Sequence, residues 1–185
     1  GVNAGRSDDP RSDGQLVEAI NAGSADAFEV LYLRYRDWVV NLAYRFTSNQ
    51  ADALDAMQET FSYVLGKFPG FELRAKFTTF LYPVVRHVAI RVRQRRKEVP
   101  TDPATMTEPE WRPVADDANA DLALVLASLT EEHREVVLLR FVDGLSIEET
   151  AQAMDIPPGT VKSRLHHAIA KLREDPKVRE YFEAG

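Results

Sequence analysis

The chain has 185 residues, 44% of them hydrophobic, which is room for one domain or two small ones around packed cores. It has no cysteine, which excludes disulfides, thiol catalysis and Cys-ligated metal together and fits a reducing cytoplasm. No stretch approaches the roughly 18 apolar residues of a membrane span, and the polar opening GVNAGRSDDPRSDG predicts no secretory signal.

A net charge of −6 speaks against a nucleic-acid binder until the charges are located. Glu98 to Asp121 holds seven acids against Arg112 alone and carries the whole net charge, whereas Arg86 to Lys97 holds six bases and no acid. Salt limits a charge's reach to roughly 8–10 Å, so local basic surfaces can bind phosphate on an acidic chain.

In chain order, residues 1–13 are expected to be disordered. A helical domain follows over 14–97. Ser24 is a candidate N-cap, and Phe28, Leu31, Tyr35, Val39, Leu42 and Phe46 recur at helical spacing behind it. A second helix is predicted from about Gln50 to Phe68, with Ala53, Met57, Phe61, Val64 and Phe68 on one stripe and Pro69-Gly70 as its stop. Phe71 to Lys76 reads as a loop. The next helix spans about Phe77 to Lys97 with Phe80, Leu81, Val84, Val88 and Val92 inward; Pro83 either kinks it or marks its true first turn. Residues 98–118, with four prolines, many acids and Trp111 as their one large apolar side chain, form a linker.

A second helical domain is expected over 119–185, regular to about Tyr181. It opens with a helix from Asn119 to Leu129. Thr130 then caps a helix carrying Val136, Val137, Leu139, Arg140 and Phe141, which ends at Gly144. Ser146-Ile-Glu-Glu149 is a capping box that starts a short helix with Ala151 and Met154 inward. Ile156 fills the turn, and Pro158-Gly159-Thr160 opens the last helix, with Val161, Leu165, Ile169 (or Ala168) and Leu172 as its buried stripe. The fold class is therefore all-α: two helical domains joined by an acidic, Pro-containing linker, the second with a helix-turn-helix.

A helix-turn-helix places its second helix in the DNA major groove. Burying the apolar stripe leaves Thr160, Lys162, Ser163, Arg164, His167 and Lys171 outside it. Lys162 and Arg164 can pair with guanine or phosphate, and Thr160 and Ser163 can donate to phosphate. A basic helical face alone equally suits a solvated helix closing a bundle; capping box, short turn and stripe together favour DNA. The bases Arg86, Arg91, Arg93, Arg95 and Arg96 form a second cationic surface. Phe71, Phe77, Phe80 and Tyr82 precede or adjoin it, and cations beside aromatics suit single-stranded nucleic acid. Most of those rings can equally be core: Phe80 reads as core, and Phe71 and Phe77 stay open. Asp55, Gln58 and Glu59 lie on or near one helix face, either as solvated groups or as a docking surface; spacing alone favours the first. His166 and His167 point about 100° apart and make a poor metal pair, and His87 and His133 lack ligand partners. No catalytic, metal or cofactor constellation stands out, and an enzyme is not expected.

The two halves together resemble the bacterial extracytoplasmic-function (ECF) sigma factors. Asp55-Ala-Met-Gln-Glu-Thr-Phe61 resembles that family's polymerase-docking helix, and Phe77-Thr-Thr-Phe-Leu-Tyr82 with the basic run resembles its promoter-melting segment. Leu126 to Arg140, Gly144-Leu-Ser and Gly159-Thr-Val-Lys-Ser-Arg164 resemble its −35-reading domain. The resemblance implies a cytoplasmic initiation factor that binds core RNA polymerase through Asp55, Gln58, Glu59 and Phe61. It implies contacts to the melted −10 strand from Phe71, Lys76, Phe77 and Thr78, with Arg86, His87, Arg91, Arg93, Arg95 and Arg96 behind them. Thr160, Lys162, Ser163, Arg164, His167 and Lys171 then meet the −35 duplex. Family members are commonly held by an anti-sigma factor, which joins the expected partners, and the acidic linker is expected to thread the polymerase near the template strand. The family often has Trp where Phe80 stands, Asn where His87 stands and Asp where Arg91 stands, and Pro83 is unusual, which leaves the preferred −10 sequence open. The rivals are a helix-turn-helix regulator acting without polymerase and a sigma mimic that sequesters a partner.

Overall fold

The structure, a computed structural model, describes residues 8–98 and 126–176. Most of the expected linker, Trp111, the start of the Asn119 helix and the chain beyond Pro176 lie outside the described residues. The chain divides into two compact units, Gly1–Glu110 and Trp111–Gly185, a division that falls within the stretch read as linker.

In the first unit, α1 (Asp13–Asn21) opens on a capping box in which Ser12 and Gln15 exchange hydrogen bonds. Disorder is not what residues 8–13 show. Arg34 donates to the carbonyls of Asp9 and Arg11 at 3.0 Å each and to the Asp13 carboxylate at 2.8 Å, and the Tyr35 hydroxyl donates to Asp13 as well. Asp9 accepts side-chain and backbone bonds from Arg11, which hold its pKa down at about 2. Composition suggests a loose tail, but one guanidinium with five donors gathers it from another helix.

Ser24 caps α2 (Ala25–Thr47), and Asn49 caps α3 (Gln50–Leu65) by accepting from the Asp52 N–H at 2.9 Å. The expected stripe Ala53, Met57, Phe61, Val64 is buried. The helix stops three residues before the expected Phe68, because the residue preceding Pro69 is driven out of α geometry. Helix α4 (Phe77–Glu98) continues through Pro83, six residues inside it, so Pro83 is not its first turn. The ring faces solvent, and its missing N–H leaves the Thr79 carbonyl without its usual helical donor. Helices α2, α3 and α4 pack pairwise, with α1 against α2. Leu31, Leu42, Val64, Leu81 and Val85 are buried in these helices, each 1% exposed or less.

In the second unit, Thr130 caps α5 (Glu131–Val137), which continues as a π-helical turn, Leu138–Val142. That turn adds a residue and rotates the chain beyond it. Phe141 and Val142 are 61% and 58% exposed, while Leu138 and Leu139 of the same turn are buried. Gly144, at φ +71°, closes the turn in a conformation side chains resist. Ser146 and Glu149 form the expected capping box at the start of α6 (Ile147–Met154). Asp155 turns left-handed, and α7 (Pro158–Glu174) begins with proline in its first turn. Val136, Val137, Leu138, Ala151, Val161, Leu165 and Ala168 form one core, with Ile147, Met154, Ile156 and Leu172 packed against it.

Because the Ser146 hydroxyl accepts from the Glu149 N–H in the first turn of α6, Ser146→Ala should destabilise α6 by about 1 kcal/mol. Hydrogen exchange of the α6 and α7 amides should quicken about fivefold, with α2–α4 unaltered.

Candidate nucleic-acid interface

The helix-turn-helix is assembled by apolar contact and presents a polar outer face. Val161, Leu165 and Ala168 of α7 are buried, which settles the choice between Ala168 and Ile169. Lys162, Ser163, His167 and Lys171 are exposed, while Thr160 and Arg164 are half-buried. Arg164 is paired with Glu132 of α5 at 3.3 Å. His167 stacks on His133, their centroids 6.2 Å apart, and its Nδ1 lies 3.5 Å from the Ser163 hydroxyl. The outer face thus carries two lysines, an arginine held by one acid and two hydroxyls, groups that suit phosphate and base edges.

The charged residues of α3 and α4 are joined, which their separation in sequence conceals. Asp55 and Gln58 stand exposed on α3. Glu59 is not free: Arg91 donates to it at 2.9 Å, and Arg95 donates to its other oxygen. Burial raises the Glu59 pKa, but the bonds from Arg95 and Arg91 outweigh it and leave the carboxyl below its ordinary value. Arg96 pairs with the buried Asp52 at 3.0 Å, and Arg93 donates to the Phe46 carbonyl at 3.2 Å. Arg86 lies over the Phe46 ring at 5.7 Å, and His87 is exposed. Much of the basic run is therefore already engaged inside its own unit. Sequence reasoning misses the exposed apolar side chains of α3, Leu54 next to Asp55 and Tyr63 and Leu65 towards its C-terminal end, which expose 42–50% of their surface. The available signal is an apolar content in α3 larger than one buried stripe uses.

Two residues expected at an interface belong to the core instead. Phe61 is buried against Tyr32, their rings 4.9 Å apart, because it falls on the stripe of Met57 and Val64. Phe77 is 0% exposed and packs on Tyr35 at 4.9 Å, since the first turn of α4 lies against α2. Tyr82 is also buried, whereas Phe80, read as core, is only half-buried. Phe80 stacks on Phe71 at 4.8 Å, and Phe71 on Phe68 at 5.3 Å, so an aromatic row leads out of the core to the loop. Thr78 is half-buried and Lys76 exposed at the loop's end. Among the described residues, no cluster of His, Asp and Glu could hold a metal ion, and no helix is long and apolar enough to cross a membrane.

Residues 31–99 match the family described as Sigma-70 region 2, and residues 120–172 match Sigma-70, region 4. The RNA polymerase sigma-H factor of Pseudomonas aeruginosa is 31% identical over 186 residues, covering 91% of this chain and 96% of its own. The ECF RNA polymerase sigma factor SigW of Bacillus subtilis is 28% identical over 174 residues, covering 85% and 93%. The sigma factor RpoE of Bartonella quintana, solved with the anti-sigma factor NepR, shares the fold at a TM-score of 0.63 and 24% identity, over 80% of this chain and 94% of that one.

Removing the acid that ties α3 to α4 should release cationic surface. Glu59→Gln is expected to tighten non-specific binding to single-stranded DNA at low salt and to steepen the log–log salt dependence by about one to two phosphate contacts. Salt-titrated fluorescence anisotropy reads both.

Proposed function

The chain belongs to the ECF RNA polymerase sigma factors, and on that premise we propose how its residues divide the work. It binds core RNA polymerase, directs the enzyme to specific promoters and takes part in opening them. Two sigma-70 regions in one chain, with relatives aligned over more than nine-tenths of both lengths, carry this conclusion. A regulator acting without polymerase is not favoured, since it has no use for a region 2.

In our reading, Asp55, Gln58 and Glu59 with the neighbouring Leu54 form the polymerase face. Exposed apolar side chains rimmed by polar ones mark protein interfaces. Phe61 supports this face from beneath. The outer face of α7 reads the −35 duplex: Lys162, Ser163, Arg164, His167 and Lys171 lie along it, and Thr160 sits at its N-terminal end, where residues of this motif reach base edges. Arg164 exchanges Glu132 for a phosphate or guanine, and a charge-assisted pair with DNA replaces the one it gives up.

The loop from Pro69 to Lys76 captures an unpaired base of the −10 non-template strand, with Phe71 as its stacking ring and Lys76 and Thr78 at the strand's backbone. Phe77 acts through Phe80 and not by contact. Arg86, His87, Arg91, Arg93, Arg95 and Arg96 line the path of the phosphates, those tied to Glu59 and Asp52 becoming available as these acids are engaged elsewhere. The polymerase performs the chemistry, in the cytoplasm, and this chain contributes no catalytic group. An anti-sigma factor that occupied α3 would block the polymerase face and silence the chain.

Run-off transcription with purified core polymerase on a genomic fragment library tests the assignment. Asp55→Lys should reduce initiation at least tenfold by weakening core binding. Arg164→Ala should weaken −35-dependent promoters by about tenfold with core affinity retained. Full initiation by both variants would overturn the division of labour.

A further inference from the structure

Asn21, the last residue of α1, reaches a loop some fifty positions along the chain. Its Oδ1 accepts from the Gly70 N–H at 2.7 Å and from the Phe71 N–H at 3.1 Å, and its Nδ2 donates to the Phe71 carbonyl at 2.8 Å. One amide therefore engages both polar groups of Phe71, as a neighbouring strand would. The segment has no helix or strand of its own to fix it, and Gly70, at φ +99°, turns the chain in a conformation that favours glycine. Asn21 stands on a firm base: Leu16, Val17 and Ile20 of α1 are buried, and Asp13 is bound by Arg34 and Tyr35.

The ring of Phe71 is held as well as its backbone. It lies between Phe68 and Phe80, and Phe80 leans on the fully buried Phe77, with centroids 5.7 Å apart. A half-buried ring held by packing below and by hydrogen bonds along its backbone is a stacking platform for an unpaired base. Fixing it in advance removes the ordering cost that binding otherwise meets.

We propose that Asn21 is a positioning residue for single-strand capture: its amide fixes the backbone of Phe71 so that the ring is in place to stack an unpaired −10 base. This rests on the proposal that the loop from Pro69 to Lys76 takes that base. Asn21 touches no DNA itself and acts through Gly70 and Phe71.

The test uses the full chain bound to core RNA polymerase and a fluorescent single-stranded oligonucleotide carrying the −10 non-template sequence of a promoter found by run-off. Asn21→Ala should weaken oligonucleotide binding about tenfold, the worth of one or two neutral hydrogen bonds. It should also flatten the preference among the four bases at the captured position, while affinities for core enzyme and for −35 duplex stay unchanged. Asn21→Asp keeps the side-chain shape and both acceptor contacts but sets a carboxylate oxygen against the Phe71 carbonyl in place of the Nδ2 donor; it should flatten the preference too, and it carries the test if the alanine chain folds poorly. A base preference unchanged in both variants, with capture lost in Phe71→Ala, would overturn the positioning role and leave the loop reading standing. Unchanged capture in Phe71→Ala would overturn the loop reading and this proposal together.

Discussion

Helix α4 lies against α2 and α3 because Phe77, Leu81, Tyr82, Val85, Val88 and Val92 must leave water together. Burying each such side chain is worth roughly 1.5–3 kcal/mol, so rolling the helix by one position exposes several of them at a cost no surface contact can offset. That seating fixes the geometry at both ends. Before the helix, Phe77 anchors the aromatic row that leads to Phe71. At its far end, Arg91, Arg95 and Arg96 come to rest on the acids of α3. The charged contacts are consequences of the apolar ones; exposed ion pairs contribute at most about 1 kcal/mol each and could not set the register.

The second unit reaches its geometry by local means. Thr130 and Ser146 start their helices by accepting from N–H groups three residues on, and Gly144 and Asp155 reverse the chain in left-handed conformations. Those signals lie within a few residues of one another, which is why capping box, turn and buried stripe are all legible in the amino-acid order. The π-helical turn is not: no single residue announces it, and it leaves Phe141 at the surface while Leu138 and Leu139 are buried.

In the first unit, legibility divides along the same line. The cap at Ser24 and the stripe of α3 follow from spacing, and the structure holds both. What spacing does not carry is contact between distant positions. Glu59 and Arg95 are 36 residues apart, and Asn21 and Phe71 are 50 apart; each pair looks like two independent surface groups. Pattern reads Phe80 as core and leaves Phe77 open; Phe77 is the fully buried ring and Phe80 only half-buried, because the position of α2 decides which ring is covered. Pro83 misleads for a related reason, since a helix held on both flanks tolerates a lost backbone bond that an isolated one does not.

The ion pairs between α3 and α4 also bear on how such a chain can drift over generations. A substitution at Glu59 changes the face offered to one macromolecule and, in the same stroke, the charge that Arg91 and Arg95 offer to another. Neither trait can be tuned alone, so viable lineages should alter these three positions in concert, while Lys162 or Lys171, exposed on a different unit, is free to wander as target sequences change.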